Sequence, residues 1–121
     1  MIQLGSVIKP ADNSGAKKFK VIGLANGVGR FATLGDIVTC VVDGADPAGA
    51  VSDSEIVKVI LVRTRKEVGR RDGIYVRFDD NAGVVIDKQG LPKGTRVLGP
   101  VAREVREKGY TKIASLAKEV V

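Results

Sequence analysis

The sequence predicts a mainly β domain, a small barrel or sandwich closed off by two short helices, and three observations predict it. Short apolar runs punctuated by Gly, Pro, Asn and Asp fill the first hundred positions. Only beyond Pro100 does the apolar spacing widen to the helical interval. A chain of 121 residues has room for one domain with one modest core, so residues 1–121 are read as a single unit.

In chain order, strands are expected at 6–9, 18–25, 36–42, 56–66, 73–78 and 83–87. Between the first two, Asp12, Asn13, Ser14 and Gly15 form a turn, because Asp and Asn bond their own backbone and Gly takes positive φ. The connection 43–55, with Gly44, Pro47 and Gly49, has no periodicity and reads as a flexible acidic loop. A short helix is expected over 101–108: Pro100 suits its start, Glu104 and Lys108 pair at i and i+4, and Gly109 stops it. A second begins near Thr111 and buries Ile113, Leu116, Ala117 and Val120 against the sheet.

Charge is unevenly spread. The formal net charge is +6, yet the window 36–55 holds Asp36, Asp43, Asp46, Asp53 and Glu55 and no Lys or Arg. The densest cations fall in a hairpin pattern at 62–86, where Arg63, Arg65, Lys66, Arg70, Arg71 and Arg77 face only Glu67 and Asp72. Alternation of Ile74, Val76 and Phe78 with Tyr75 and Arg77 implies one face packed on the body and one presenting cations. Guarding a sheet edge against aggregation is the competing use of such a hairpin. Five arginines favour phosphate, which their planar forks match better than lysine's point charge does. The chain then has a basic side for a polyanion and an acidic side for water or protein, unless folding intermixes the two.

Other chemistries find little support. There is no His, the commonest general base and metal ligand near neutral pH. The single Cys40 lies in an apolar run, reads as a core residue and excludes an intrachain disulfide. Asp79 and Asp80 are adjacent at a strand end, so their side chains diverge, which suits a turn and not a metal. The run from Gly27 to Ala32 imitates a dinucleotide fingerprint but precedes a strand instead of a helix, and 90–94 lacks the ending of a phosphate loop. No stretch approaches a membrane span or a secretory leader, and a reducing, cytosol-like compartment is expected. With few aromatics (Phe19, Phe31, Tyr75, Phe78, Tyr110), backbone and shape recognition of folded RNA is favoured over base stacking. An enzyme is not expected.

Three segments in order carry a resemblance: ADNSGA at 11–16, VILVRTRKEVGRRDGIYVRFDDNAGVVI at 59–86, and KGTRVLGPVAREVREKGYTKIASLA at 93–117. Together they resemble the family of large-subunit ribosomal protein fourteen, continuously from Met1 to Val121. The resemblance implies a small five-stranded β-barrel with a projecting β-ribbon, about 62–82, and two short C-terminal helices within about 100–121. It implies a non-catalytic structural protein, without cofactor, metal, small-molecule substrate or membrane association. Its implied partners are large-subunit rRNA, small-subunit rRNA at an intersubunit bridge, large-subunit ribosomal proteins three and nineteen, and a ribosomal silencing factor. Its implied place is the ribosome, in the cytoplasm or an organelle. Candidate rRNA contacts are Lys17, Lys18, Arg63, Arg65, Lys66, Arg70, Arg71 and Arg77. Thr95, Arg96, Lys112 and Ser115 match the bridge and factor-docking surface, for which ordinary exposed polarity is the alternative. Asn81 matches the family signature and is expected to fix a turn. The chain departs from the pattern at the acidic loop 43–55, where many bacterial relatives carry several Lys and Arg, at Arg71, where relatives often have Pro, and at Lys118, where relatives usually have Pro. A free-standing barrel binding RNA or protein outside the ribosome is the second reading.

Overall fold

The computed structural model describes residues 2–24 and 31–121. Five strands close a barrel: β1 (Val7–Pro10), β2 (Phe19–Leu24), β3 (Ile37–Val42), β4 (Ile56–Arg63) and, after two ribbon strands, β7 (Ala82–Ile86). The ribbon is β5 (Val68–Gly69) paired with β6 (Tyr75–Val76), and two helices follow, α1 (Arg103–Glu107) and α2 (Thr111–Leu116). A mainly β five-stranded barrel with two short C-terminal helices is thus the observed architecture.

Neighbouring barrel strands run antiparallel except at the closure, where β1 lies parallel to β7 with Lys9 beside Ala82 and Pro10 beside Gly83. Pro10 is tolerated there because Lys9 and Ala11 supply the donors, to the carbonyls of Asn81 and Gly83, each at 2.9 Å. Gly83 pairs with both β1 and β4, and a Cβ on it would collide with the Val59 side chain and stand 3.0 Å from the Ile60 carbonyl. No side chain fits at this seam.

Two cores flank the β4–β7 wall. Inside the barrel lie Ile8, Phe19, Val21, Val38, Cys40, Val42, Val57, Val59, Leu61 and Val85. Outside it, Ile60, Val62, Val84 and Ile86 pack under Val97, Val101, Val105 and Ile113. Strands covered on both faces need apolar residues at consecutive positions, which is why VILV and GVVI run unbroken, whereas in β3 buried and half-buried residues take turns along the strand. Cys40 is buried, and burial pushes its thiol up to about 12, far from a reactive thiolate.

Four expectations are corrected. The strand anticipated at 56–66 ends at Arg63, and that at 73–78 contracts to Tyr75–Val76. Ile74 is 59% and Tyr75 70% exposed, because the ribbon stands beyond the core that would cover one of its faces. Glu104 and Lys108 do not pair with each other: Glu104 binds Arg70 and Lys108 binds Asp36, so tertiary partners outcompete the helical neighbour. The acidic loop is pinned and not free. Asp46 donates its N–H to Gly15 and Ala50 to Ser14, at 2.8 and 2.7 Å, the Asp53 carboxylate accepts Gly44 N–H, and Val51 is buried. Ala25, expected in β2, and most of the Gly27 to Ala32 run lie outside the described residues; Ala32 itself bridges to Ile2.

Candidate nucleic-acid interface

The six hairpin cations divide into two that hold the fold and four that face outward. Arg63 is buried. Its Nε donates to Asp80 Oδ1 at 2.9 Å and its Nη1 to the carbonyls of Leu98 and Pro100 at 2.7 and 3.1 Å. Arg70 donates from Nη2 to Glu104 Oε1 at 2.8 Å and to the Val121 backbone oxygen at 2.7 Å, drawing the ribbon onto α1. In both, one guanidinium binds carboxylate and carbonyl oxygens together, with its donors held in a fixed plane that a lysine lacks.

Arg65, Lys66, Arg71 and Arg77 are exposed, and among the described residues none forms an ion pair. Their scaffold is fixed from both ends. At the base, Arg65 N–H donates to Asn81 Oδ1 at 2.8 Å and Phe78 N–H to the Thr64 carbonyl at 3.0 Å. At the tip, Arg70 N–H reaches the Ile74 carbonyl, Asp72 accepts Ile74 N–H, and Gly73 takes φ +83°. Arg71 is thereby carried at the apex of the turn.

Lys17 and Lys18 keep exposed side chains while their backbone anchors the acidic loop, Lys17 N–H to the Gly44 carbonyl and Asp43 N–H to the Lys18 carbonyl. The cationic and acidic segments therefore adjoin here instead of lying on opposite sides.

A second polar cluster forms where the 91–96 loop meets α2. Thr95 and Lys112 line one depression of about 320 Å³ with Leu91, Pro92, Gly94 and Leu116. Arg96 and Ser115 are exposed nearby in sequence, and Ser115 Oγ donates to the Lys112 carbonyl at 2.8 Å. Asn13, 82 positions from Thr95, organises the loop. Its Oδ1 accepts the N–H of Thr95 at 2.8 Å and of Arg96 at 3.0 Å, and its Nδ2 donates to Thr95 Oγ1 at 2.7 Å. Asn13 is in turn set by Asp12, whose buried carboxylate accepts Val85 N–H at 2.9 Å and Ser14 Oγ–H at 2.7 Å. Burial pushes the Asp12 carboxyl above its ordinary 3.8, against those hydrogen bonds, which pull it down.

Sequence reasoning read 12–15 as a local turn and missed that it clamps the 94–96 loop. It likewise missed Asp80 and Glu104 as the anchors of Arg63 and Arg70. The available signal was an acid count near the ribbon, which has no address until the fold brings position 104 to position 70. Among the described residues, no helix is long and apolar enough to cross a membrane.

The family model described as "Ribosomal protein L14p/L23e" matches residues 1–121. A Petrotoga mobilis protein named "Large ribosomal subunit protein uL14" is 58% identical over 121 residues, covering 99% of both chains. An Aquifex aeolicus protein of the same name is 57% identical with complete coverage of both chains, and one from Aquifex pyrophilus is 56% identical. A barrel, a cationic ribbon and a whole-length family match agree, and the chain belongs to the L14p/L23e family of ribosomal proteins.

Proposed function

We propose that this chain is a structural, non-catalytic protein of the large subunit of the cytoplasmic ribosome, holding large-subunit rRNA with the outward cations of its ribbon. The observation that carries the reading is the group of exposed cations Arg65, Lys66, Arg71 and Arg77, unpaired among the described residues, on a hairpin anchored at both ends. Lys17 and Lys18 add two more. Arg63 and Arg70 are withdrawn from direct contact, since their guanidinium groups are occupied, and act as ribbon anchors instead. Because phosphates position and base edges specify, this arrangement suits RNA recognised by shape. Thr95, Arg96, Lys112 and Ser115, on the loop that Asn13 holds, form the face toward small-subunit rRNA at a bridge and toward a silencing factor. Large-subunit ribosomal proteins three and nineteen are its neighbours.

Six phosphate contacts correspond to a loss of about a thousandfold in affinity between roughly 50 and 200 mM salt. The test is the salt dependence of binding to a large-subunit rRNA transcript. Replacing Arg65, Lys66, Arg71 and Arg77 by Gln lowers the slope of log affinity against log salt by about 4, with unchanged melting. An unchanged slope contradicts the ribbon as the RNA arm.

A further inference from the structure

The barrel strands contain no Asp or Glu at all; their charged residues are Lys9, Lys20, Lys58 and Arg63. Arg63 is consumed by Asp80 and Lys58 donates to Thr39 Oγ1 at 2.8 Å. Lys9 and Lys20 are exposed, and no ion pair or hydrogen bond engages their side chains among the described residues. The antiparallel register sets Val7 against Lys20 and Ile8 against Phe19, and one step further it brings Lys9 beside Lys18. Ile8 and Phe19 point into the core, so Val7, Lys9, Lys18 and Lys20 share the outer wall. Like charges facing each other across a strand pair are destabilising, and here no carboxylate of the barrel wall offsets them.

This wall is continuous with the ribbon. Lys9 donates its N–H to the Asn81 carbonyl and Asn81 Oδ1 holds the Arg65 N–H, so one residue links the ribbon base to the start of the lysine row. Its exposed apolar members, Val7 and Ile22, are aliphatic, so the wall offers no stacking platform for unpaired bases. We propose that the outer face of β1 and β2, through Lys9, Lys18 and Lys20, is a second RNA-binding surface that extends the ribbon's track across the barrel. Its partner is the phosphate backbone of double-helical RNA, which is recognised by shape and by phosphate contacts across a wide, shallow minor groove.

This inference rests on the rRNA-binding reading, and Lys9 and Lys20, which that reading does not use, separate the two. With the full-length chain and a large-subunit rRNA transcript, Lys9→Gln with Lys20→Gln lowers the salt slope by about 2. The loss adds to that of the ribbon variant, and the unbound protein melts no lower. A control carrying Lys88→Gln and Lys118→Gln, also exposed, keeps the wild-type slope. An unchanged slope in the Lys9/Lys20 chain, with the ribbon variant still impaired, overturns the wall and leaves the proposed function standing. An equal loss in the control assigns the effect to net charge and overturns it too. Capture of polyglutamate through Lys9 and Lys20, with RNA binding unaffected, assigns the wall to an acidic protein. Failure of the wild-type chain to bind the transcript overturns both readings.

Discussion

Arg63 and Asp80, seventeen positions apart at the two feet of the ribbon, are joined by a 2.9 Å ion pair whose guanidinium also closes on the carbonyls of Leu98 and Pro100. One side chain thus ties the end of β4, the bend leading into β7 and the loop entering α1. Arg63→Met leaves Asp80 and two carbonyls without their donor and is expected to destabilise by about 2–4 kcal/mol. Arg63→Lys keeps the charge but loses the fork and is expected to fall between that variant and wild type. Gly99→Ala should resemble it, since Gly99 has φ +77° and an added Cβ would run into Arg63 Nη1. Denaturant midpoints give the order.

Asn13 is expected to govern the 94–96 loop without touching any partner. Asn13→Ala removes the acceptor of two backbone N–H groups and should speed amide hydrogen exchange at Thr95 and Arg96 by about tenfold. Asn13→Asp keeps the acceptor, loses only the donor to Thr95 Oγ1, and should protect both amides nearly as well as wild type. Equal exchange in all three chains would show the loop is held by something else.

Asp12 supplies a pH dependence whose sign is set by its burial. Its folded carboxyl lies above the ordinary 3.8, so as the pH falls the folded chain takes up that proton before the unfolded chain does. The stability it adds is fully present below 3.8 and is lost as the pH rises through the folded value. When protonated, it can donate to Ser14 Oγ while still accepting Val85 N–H. Asp12→Asn can do the same without titrating, so its stability relative to wild type should improve between pH 3 and pH 6. Asp12→Ala leaves Val85 N–H buried and unpaired and should lose about 1–3 kcal/mol. Urea melts at both pH values test both statements.

Gly83 is expected to be irreplaceable at the barrel seam. Gly83→Ala presses on Val59 and on the Ile60 carbonyl and should destabilise by about 1–3 kcal/mol, and Gly83→Val should prevent folding. Gly73→Ala, by contrast, meets nothing within 4 Å, and its penalty comes from φ +83° alone, confined to the ribbon tip.

Much of this fold could be read in advance because strand periodicity is local. The apolar runs at 37–42, 59–62 and 83–86 announce strands, and only the fold separates β3, with Val38, Cys40 and Val42 inward, from β4 and β7, which are covered on both sides. Arg63 turns inward, and β4 ends short of the expected position 66, for one reason. The β4–β7 register shifts between Leu61 and Arg63, so the residue that ends the strand turns under the 98–100 loop instead of outward. The candidate site was legible as a density of cations but not as a division of labour. Whether an arginine meets phosphate or protein depends on carboxylates such as Glu104, thirty-four positions from Arg70. The Asn13 clamp on Thr95 was hidden by the same distance.

Separating a cell lysate on a sucrose gradient at low magnesium, and counting this chain in each fraction by quantitative mass spectrometry, decides whether it is a structural part of the large subunit. One copy per large subunit is expected, with the chain carrying Arg65→Gln, Lys66→Gln, Arg71→Gln and Arg77→Gln depleted from that peak when it competes with wild type. Absence of the wild-type chain from the large-subunit fraction, with a light or unrelated RNA-containing peak in its place, would contradict it.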